Sequence, residues 1–252
     1  MDLGLAGRIV LVTGASGAIG SAIARAFAAE GALVAAGWHG NEDRARSLAD
    51  SIVQAGGKGM AVRIDQSDRG AAQAAAHQVE QELGDIAILV ANAVSWPTMT
   101  PETWDTLTDC FTANVTGTLA LIDTVLPGMR GAGWGRVVLI SSDVVDQPMP
   151  AAVAYPAAKG ALETAARVLA VREARHGILT NVVKPGFTLT EKALNAPWLG
   201  QQAVDAEAAK TPTGRICTPQ DVASVVAYLG SGANAHVNGE TLSVAGGRHL
   251  TR

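Results

Sequence analysis

The chain has 252 residues, 48% of them apolar and 17% charged, with 28 glycines and a formal net charge of −4. That balance excludes disorder, which needs low hydrophobicity and high net charge, and without a basic block it points to neither nucleic acid nor an anionic membrane. Apolar runs such as residues 9–12, 86–91 and 137–140 stop after a few positions, short of the about 20 that a spanning helix needs. Residues 1–13 lack the cationic start and long apolar stretch of a secretory signal. Cys110 and Cys217 have neither a metal spacing nor the makings of a disulfide framework. A cytoplasmic chain is expected.

In chain order, residues 8–13 form a β-branched run that ends at Gly14. Residues 18–30 repeat apolar side chains at helical spacing (Ile19, Ile23, Ala26, Phe27) and stop before Gly31. A second strand is expected over 33–36. A helix follows over 42–55, capped by Asn41 and closed by Gly56 and Gly57, then a strand over 59–64. Next come a helix over 69–83, a strand over 86–91 and a long helix over 101–129, opening on Pro101. The remaining pattern is a strand over 136–140, a helix over 154–176, a strand over 179–183, a helix over 221–229 behind Thr218-Pro219, and a strand over 240–244.

Strands separated by helices of this length cannot pair as hairpins. They imply right-handed crossovers and a parallel sheet with helices on both faces. No linker or repeat interrupts the alternation, so 1–252 reads as a single doubly wound α/β domain. Residues 187–212 are the least regular stretch, too long for an ordinary connection, and read as a lid over a substrate.

Three motifs carry chemistry. Thr13-Gly14-Ala15-Ser16-Gly17-Ala18-Ile19-Gly20 lies between the first strand and the first helix. There, bare backbone and a helix N-terminus can approach a pyrophosphate. Tyr155 and Lys159 stand four apart on one helix face, where an ammonium can favour the ionised phenol. With two tyrosines and five lysines in the chain, a chance Tyr-x-x-x-Lys is expected about 0.04 times. Pro156 falls near the first helical turn, where it removes no needed hydrogen bond. Ser142 sits just past the strand over 136–140, at the sheet edge where ligands of parallel sheets bind.

The glycine turn, Asn114, Ser142 and Tyr155-x-x-x-Lys159, in this order and spacing, resemble the short-chain dehydrogenase/reductase family over nearly the whole chain. Asp65, the stretch Lys184-Pro185-Gly186-Phe187-Thr188-Leu189-Thr190 and the tail 237–247 extend the match. The tail and Gly214-Arg215 are most similar to the branch containing β-ketoacyl-carrier-protein reductases. The resemblance implies a Rossmann-type, seven-stranded parallel sheet in the order 3-2-1-4-5-6-7. It implies Tyr155 as general acid or base, Lys159 on the nicotinamide ribose, Ser142 on the substrate oxygen and Asn114 positioning a water toward Lys159. Gly14, Ser16, Gly17, Ile19, Gly20, Asn92, Pro185 and Gly186 would line the cofactor. Asp65 would meet the adenine, and Thr188 and Thr190 the carboxamide and phosphates. One departure is Ala91-Asn92-Ala93-Val94, where the family has Asn-Asn-Ala-Gly.

The end of the second strand, 35–41, has Trp38 where relatives that use NAD place an acid. That absence, with His39, Asn41 and Arg44 as donors for a 2′-phosphate, favours NADP(H) over NAD(H), although Gly17 stands where many NADP users carry Arg. The expected reaction is reduction of a ketone, carried as a β-ketoacyl thioester or free as a cyclic or polyketide-like molecule. The alternatives are NAD-dependent alcohol oxidation and a silent cofactor-binding scaffold. Trp96, Val144, Val145, Met149 and the lid occupy substrate-pocket places of relatives. Arg130, Arg172 and Arg175 would form the basic patch that an acyl carrier protein needs. A homotetramer through the helices over 101–129 and 154–176 is implied, with no metal.

Overall fold

The central strands are continuous apolar runs, a pattern that needs a sheet covered on both faces. The computed structural model describes residues 2–96, 102–147, 153–195 and 200–251. Its strands are β1 (Ile9–Val12), β2 (Leu33–Trp38), β3 (Lys58–Arg63), β4 (Ile88–Ala91), β5 (Gly135–Ile140), β6 (Ile178–Pro185) and β7 (Thr241–Val244). All are parallel, in the order β3-β2-β1-β4-β5-β6-β7. The order reverses between β1 and β4, which opens a crevice at their carboxyl ends.

The helices are α1 (Ala18–Ala29), α2 (Glu42–Gln54), α3 (Arg69–Leu83), α4 (Trp104–Phe111), α5 (Gly117–Ala132), α6 (Ala154–Glu173), α7 (Glu191–Asn195), α8 (Gly200–Lys210) and α9 (Pro219–Leu229). Successive strand residues feed opposite layers. Val10 and Val12 join Phe27, Val34 and Leu229 on one side, while Leu11 and Leu89 join Leu121, Val125 and Met129 on the other. Among the described residues no helix is long and apolar enough to cross a membrane.

The expected elements are present, with differences in strand bounds and in the helices. β2 runs on to Trp38 and β6 to Pro185, carrying both strands to the crevice, while β4 starts only at Ile88. The helix expected over 101–129 is two α-helices joined by a π-helical turn, Thr112–Thr116, and continues to Ala132. The cause is local. The Asn114 amide donates to the carbonyl of Cys110 at 2.9 Å, the acceptor that a regular helix would use for a backbone N–H. The helix expected to 176 stays α-helical to Glu173 and ends in a 3₁₀ turn, Ala174–His176. The stretch 187–212, expected to be irregular, carries α7 and α8. Pro101, Met149 and Trp198 lie outside the described residues.

Candidate active site

The turn after β1 forms one wall of the crevice. Asn92, just past β4, donates from its side chain to the carbonyls of Thr13 at 2.9 Å and Gly14 at 3.2 Å. The Thr13 hydroxyl accepts from the amides of Asn92 and Ala93 at 3.1 and 2.9 Å. Gly14 has φ 66°, and a Cβ there would stand 2.8 Å from the Ala93 Cα. A Cβ at Gly20 would collide with the Gly14 carbonyl and the Asn92 side chain. These two glycines let β1 and β4 close together. Gly17 is different, because it is exposed and starts α1 with no side-chain cap. Asn41 and Asp68 cap α2 and α3 with their side chains. Only α1 of these three presents its N-terminal amides bare, between the half-buried Ser16 and Ile19. That arrangement fits a pyrophosphate.

Beyond the turn, half-buried Trp38 ends β2, and no acid stands at its tip. His39 Nε2 lies 3.2 Å from Asp65 Oδ2, and Asp65 also accepts from the amide and hydroxyl of Ser67, which hold its carboxyl below the ordinary value. The Asn41 side chain caps α2 by accepting from the Arg44 amide at 3.0 Å. Arg44 reaches across to Glu191 on α7 at 3.1 Å. On the far side of the crevice, Gly186 N donates to the Val244 carbonyl at 3.0 Å, directly after Pro185. Thr188 Oγ donates to Gly186 O at 2.8 Å, and Thr190 Oγ accepts from the Ala193 amide at 3.1 Å.

The reacting groups meet at the end of β5. Ser142 has extended backbone and opens the 3₁₀ turn Asp143–Val145. Tyr155 and Lys159 lie in the first two turns of α6. Pro156 is the third residue of that helix, where its missing N–H costs nothing. The helix has no cap of its own, so Glu102 supplies one, accepting from the amides of Val153 and Ala154 at 2.9 Å each. Lys159 is 2% exposed, donates to the Ile140 carbonyl at 2.7 Å and stands 5.7 Å from the Tyr155 ring centre. Trp96 stacks on Tyr155 with ring centres 4.1 Å apart.

Burial decides the proton affinities here. It pushes the Tyr155 phenol up to about 12, against the opposing hydrogen bond from Ser142. It pulls the Lys159 ammonium down to about 8. The expectation that Lys159 favours the phenolate therefore meets a larger, opposite effect of desolvation. The site holds a neutral phenol across ordinary pH.

Asn114 is 1% exposed. Its side chain exchanges two hydrogen bonds with the Ser95 backbone, at 3.0 and 2.8 Å, and a third goes to Cys110. It thereby fixes the segment that delivers Trp96 to Tyr155. Val94, where the family motif has glycine, is 42% exposed. The expected basic patch is largely neutralised. Arg130 makes a two-pronged pair with Glu173 at 2.7 Å for each bond, and Arg172 joins the same carboxylate at 2.6 Å.

Lys184, Glu163 and Glu102 have roles at the site that the sequence pattern does not give. Lys184 on β6 is 4% exposed and bonded to Asp146 at 2.6 Å, with Glu163 of α6 at 3.4 Å. Glu163 also accepts from the Ser141 hydroxyl at 2.6 Å. One cluster, buried at Lys184, Glu163 and Ser141 and open at Asp146, thus ties together the turn after Ser142, the helix of Tyr155 and the strand leading to Pro185. The lysine near the strand's end is its one signal in the sequence. Glu102 left none, since it caps a helix 51 residues away.

The model of the short chain dehydrogenase family matches residues 8–197. The chain is 34% identical to D-threitol dehydrogenase of Mycolicibacterium smegmatis, over 98% of this chain and 94% of that one. It is also 34% identical to a 3-oxoacyl-acyl-carrier-protein reductase of Vibrio cholerae, over 98% and 100%. Among solved structures, a gluconate 5-dehydrogenase of Burkholderia cenocepacia in complex with NADP and tartrate superposes with a TM-score of 0.90 at 28% identity, covering 100% and 98% of the two chains. The chain belongs to the short-chain dehydrogenase family and is an oxidoreductase with its parallel Rossmann-type sheet.

Proposed function

We propose that the protein reduces a ketone to a secondary alcohol with NADPH, using Tyr155 as the proton donor. The observation that carries this reading is the meeting of Ser142, Tyr155 and Lys159 at the end of β5, with the phenol held at about 12. The phenol is neutral at ordinary pH, so it carries the proton that a carbonyl oxygen takes up as hydride arrives.

The bare N-terminus of α1, with Gly14, Ser16, Gly17, Ile19 and Gly20, holds the pyrophosphate. Asn92 braces that turn. Trp38, His39 and Asn41 surround the 2′ position, with Asp65 toward the adenine, and Pro185, Gly186, Thr188 and Thr190 close the nicotinamide end. The bound nicotinamide supplies the hydride. Ser142 and Tyr155 both donate to the carbonyl oxygen, where negative charge develops. Tyr155 then delivers its proton to that oxygen. Lys159 anchors the ribose and offers a positive charge under the phenol. The side chain of Asn114 is engaged elsewhere, so its expected hold on a water toward Lys159 falls to its main chain.

NADPH is favoured by the lack of an acid at Trp38 and by the NADP found in the gluconate 5-dehydrogenase complex. Residues 187–212, with α7 and α8, form the lid within a single domain over 1–252. The chain acts as a homotetramer in the cytoplasm, pairing through the 101–129 and 154–176 segments. An acyl carrier protein is the weaker partner, because Arg130 and Arg172 are already paired.

The test is NADPH oxidation with a panel of ketones, wild type against Tyr155→Phe, with NADPH and NADH affinities measured in parallel. Turnover by wild type and a loss of about 10²–10⁴-fold in the variant is expected. Equal rates, or tight NADPH binding without turnover of any ketone, would overturn the reading.

A further inference from the structure

Two sets of contacts close off Tyr155, which is 6% exposed. One is the apolar cluster of Cys110, Val115, Val144, Ala154 and Ala158, in which the tyrosine is itself a member. The other is Trp96. Its indole lies over the phenol with ring centres 4.1 Å and planes 27° apart, and the tryptophan remains 50% exposed. The outer layer of this stack is therefore the indole, which meets the solvent that the phenol would otherwise meet. The resemblance gives Trp96 a place in a substrate pocket, but its partner in the structure is the reacting group itself. What holds it there is the backbone. Ser95, the residue before it, donates from its amide to the Asn114 side chain at 3.0 Å and accepts from it at 2.8 Å. Asn114 lies in the π-helical turn between α4 and α5, a distortion found mostly where function needs it.

We propose that Trp96 is a positioning residue for the proton transfer, its indole fixing the plane of the Tyr155 ring and keeping water off the phenol. This rests on the reading of Tyr155 as proton donor. A fixed ring holds Oη in line with the carbonyl oxygen that takes the proton, where small misplacements are expensive in rate. A dry ring stays protonated, because the phenolate is the form that loses hydration on burial, and burial is the largest influence on this phenol. The charged and titratable groups around the phenol come from other segments. They are Lys159 on α6, the Ser142 hydroxyl and Asp143 carboxyl after β5, and the Cys110 thiol on α4. Replacing the indole thus changes the cover and leaves the charges in place.

The experiment compares wild type, Trp96→Ala and Trp96→Phe in two readouts. The first is near-ultraviolet tyrosinate absorbance from about pH 8 to 11. The chain has two tyrosines, so the titration of Tyr155→Phe gives Tyr228 alone and is subtracted. Wild type should show little ionisation of Tyr155 in that range. Trp96→Ala should bring it down toward the ordinary phenol value of about 10, and Trp96→Phe, which keeps a flat ring on the phenol, should stay near wild type. The second readout is kcat and KM with NADPH and a reducible ketone at neutral pH. Trp96→Ala should lower kcat at least about tenfold with KM within about twofold of wild type, and Trp96→Phe should restore most of the loss. A Tyr155 titration identical in wild type and Trp96→Ala overturns the proposal. So does a loss confined to KM, which would make Trp96 a wall of the substrate pocket and nothing more. The titration needs no turnover. A wild type that reduces no ketone therefore overturns the reductase reading, while absorbance still decides whether Trp96 covers the phenol.

Discussion

Two lysines are buried within a short span of the sheet, and their surroundings are opposite. Lys184 on β6 is met by two carboxylates, Asp146 at 2.6 Å and Glu163 at 3.4 Å, and its charge is answered within the protein. Lys159 on α6 is equally buried but donates to a single carbonyl, that of Ile140, and no carboxylate lies within 4 Å among the described residues. Burial therefore dominates at Lys159 and pulls it down to about 8. The difference separates two uses of one residue type. An ammonium with matched partners holds elements together. One buried without them is kept at a cost to stability, which function explains and packing does not.

Substitutions can break this contrast, beginning with the largest effect. Tyr155→Phe removes the group that Lys159 serves and should lower kcat by about 10²–10⁴-fold without loss of NADPH affinity, as read by nucleotide fluorescence. The two lysines should then part company in urea unfolding. Lys184→Met leaves Glu163 buried without its cation and should cost about 3 kcal/mol. Lys159→Met should leave stability unchanged or raise it by up to about 3 kcal/mol at pH 7, since a desolvated charge is removed, while activity falls at least about tenfold. Destabilisation by both to the same extent would dissolve the comparison.

The pH dependence sharpens it. Lys159 binds its proton more weakly folded than unfolded. Between about 8 and its ordinary 10.5 the unfolded chain carries the extra proton, so this group makes stability rise with pH across that window. The reduction rate should move the other way, falling as pH rises through about 8 and the ammonium is lost. Lys159→Met should flatten the rise in stability, measured by urea midpoints from pH 7 to 10. The smallest effect belongs to Asp146, whose side chain is 52% exposed. Asp146→Asn should cost less than about 1 kcal/mol, because Glu163 still holds Lys184. A loss as large as that of Lys184→Met would mean that Asp146 is the main partner.

Much of this was legible in advance, for physical reasons. Strand-length apolar runs between helical periods admit only a parallel sheet, so the layers and crossovers follow from spacing. The Asn41 cap is a local contact, and it is found where the residue pattern placed it. Boundaries were less secure, because β2 and β6 continue through Trp38 and Pro185 by pairing with neighbours that local pattern does not reveal. The π-helical turn at Asn114 depends on a side chain bonding Ser95 and Cys110 at once, which periodicity cannot express. Glu102 on α6 is a contact across 51 residues between segments that only folding brings together.

By itself the sequence determined the sheet type, the bare turn at Gly14–Gly20 and the Tyr155-x-x-x-Lys159 face, because backbone geometry and helical spacing act over a few residues. Tertiary structure alone decided which charges are answered. Whether Lys184 has partners and Lys159 lacks them depends on elements far apart in the chain. Desolvation and ion pairing are properties of the packed interior, and no stretch of sequence carries them alone.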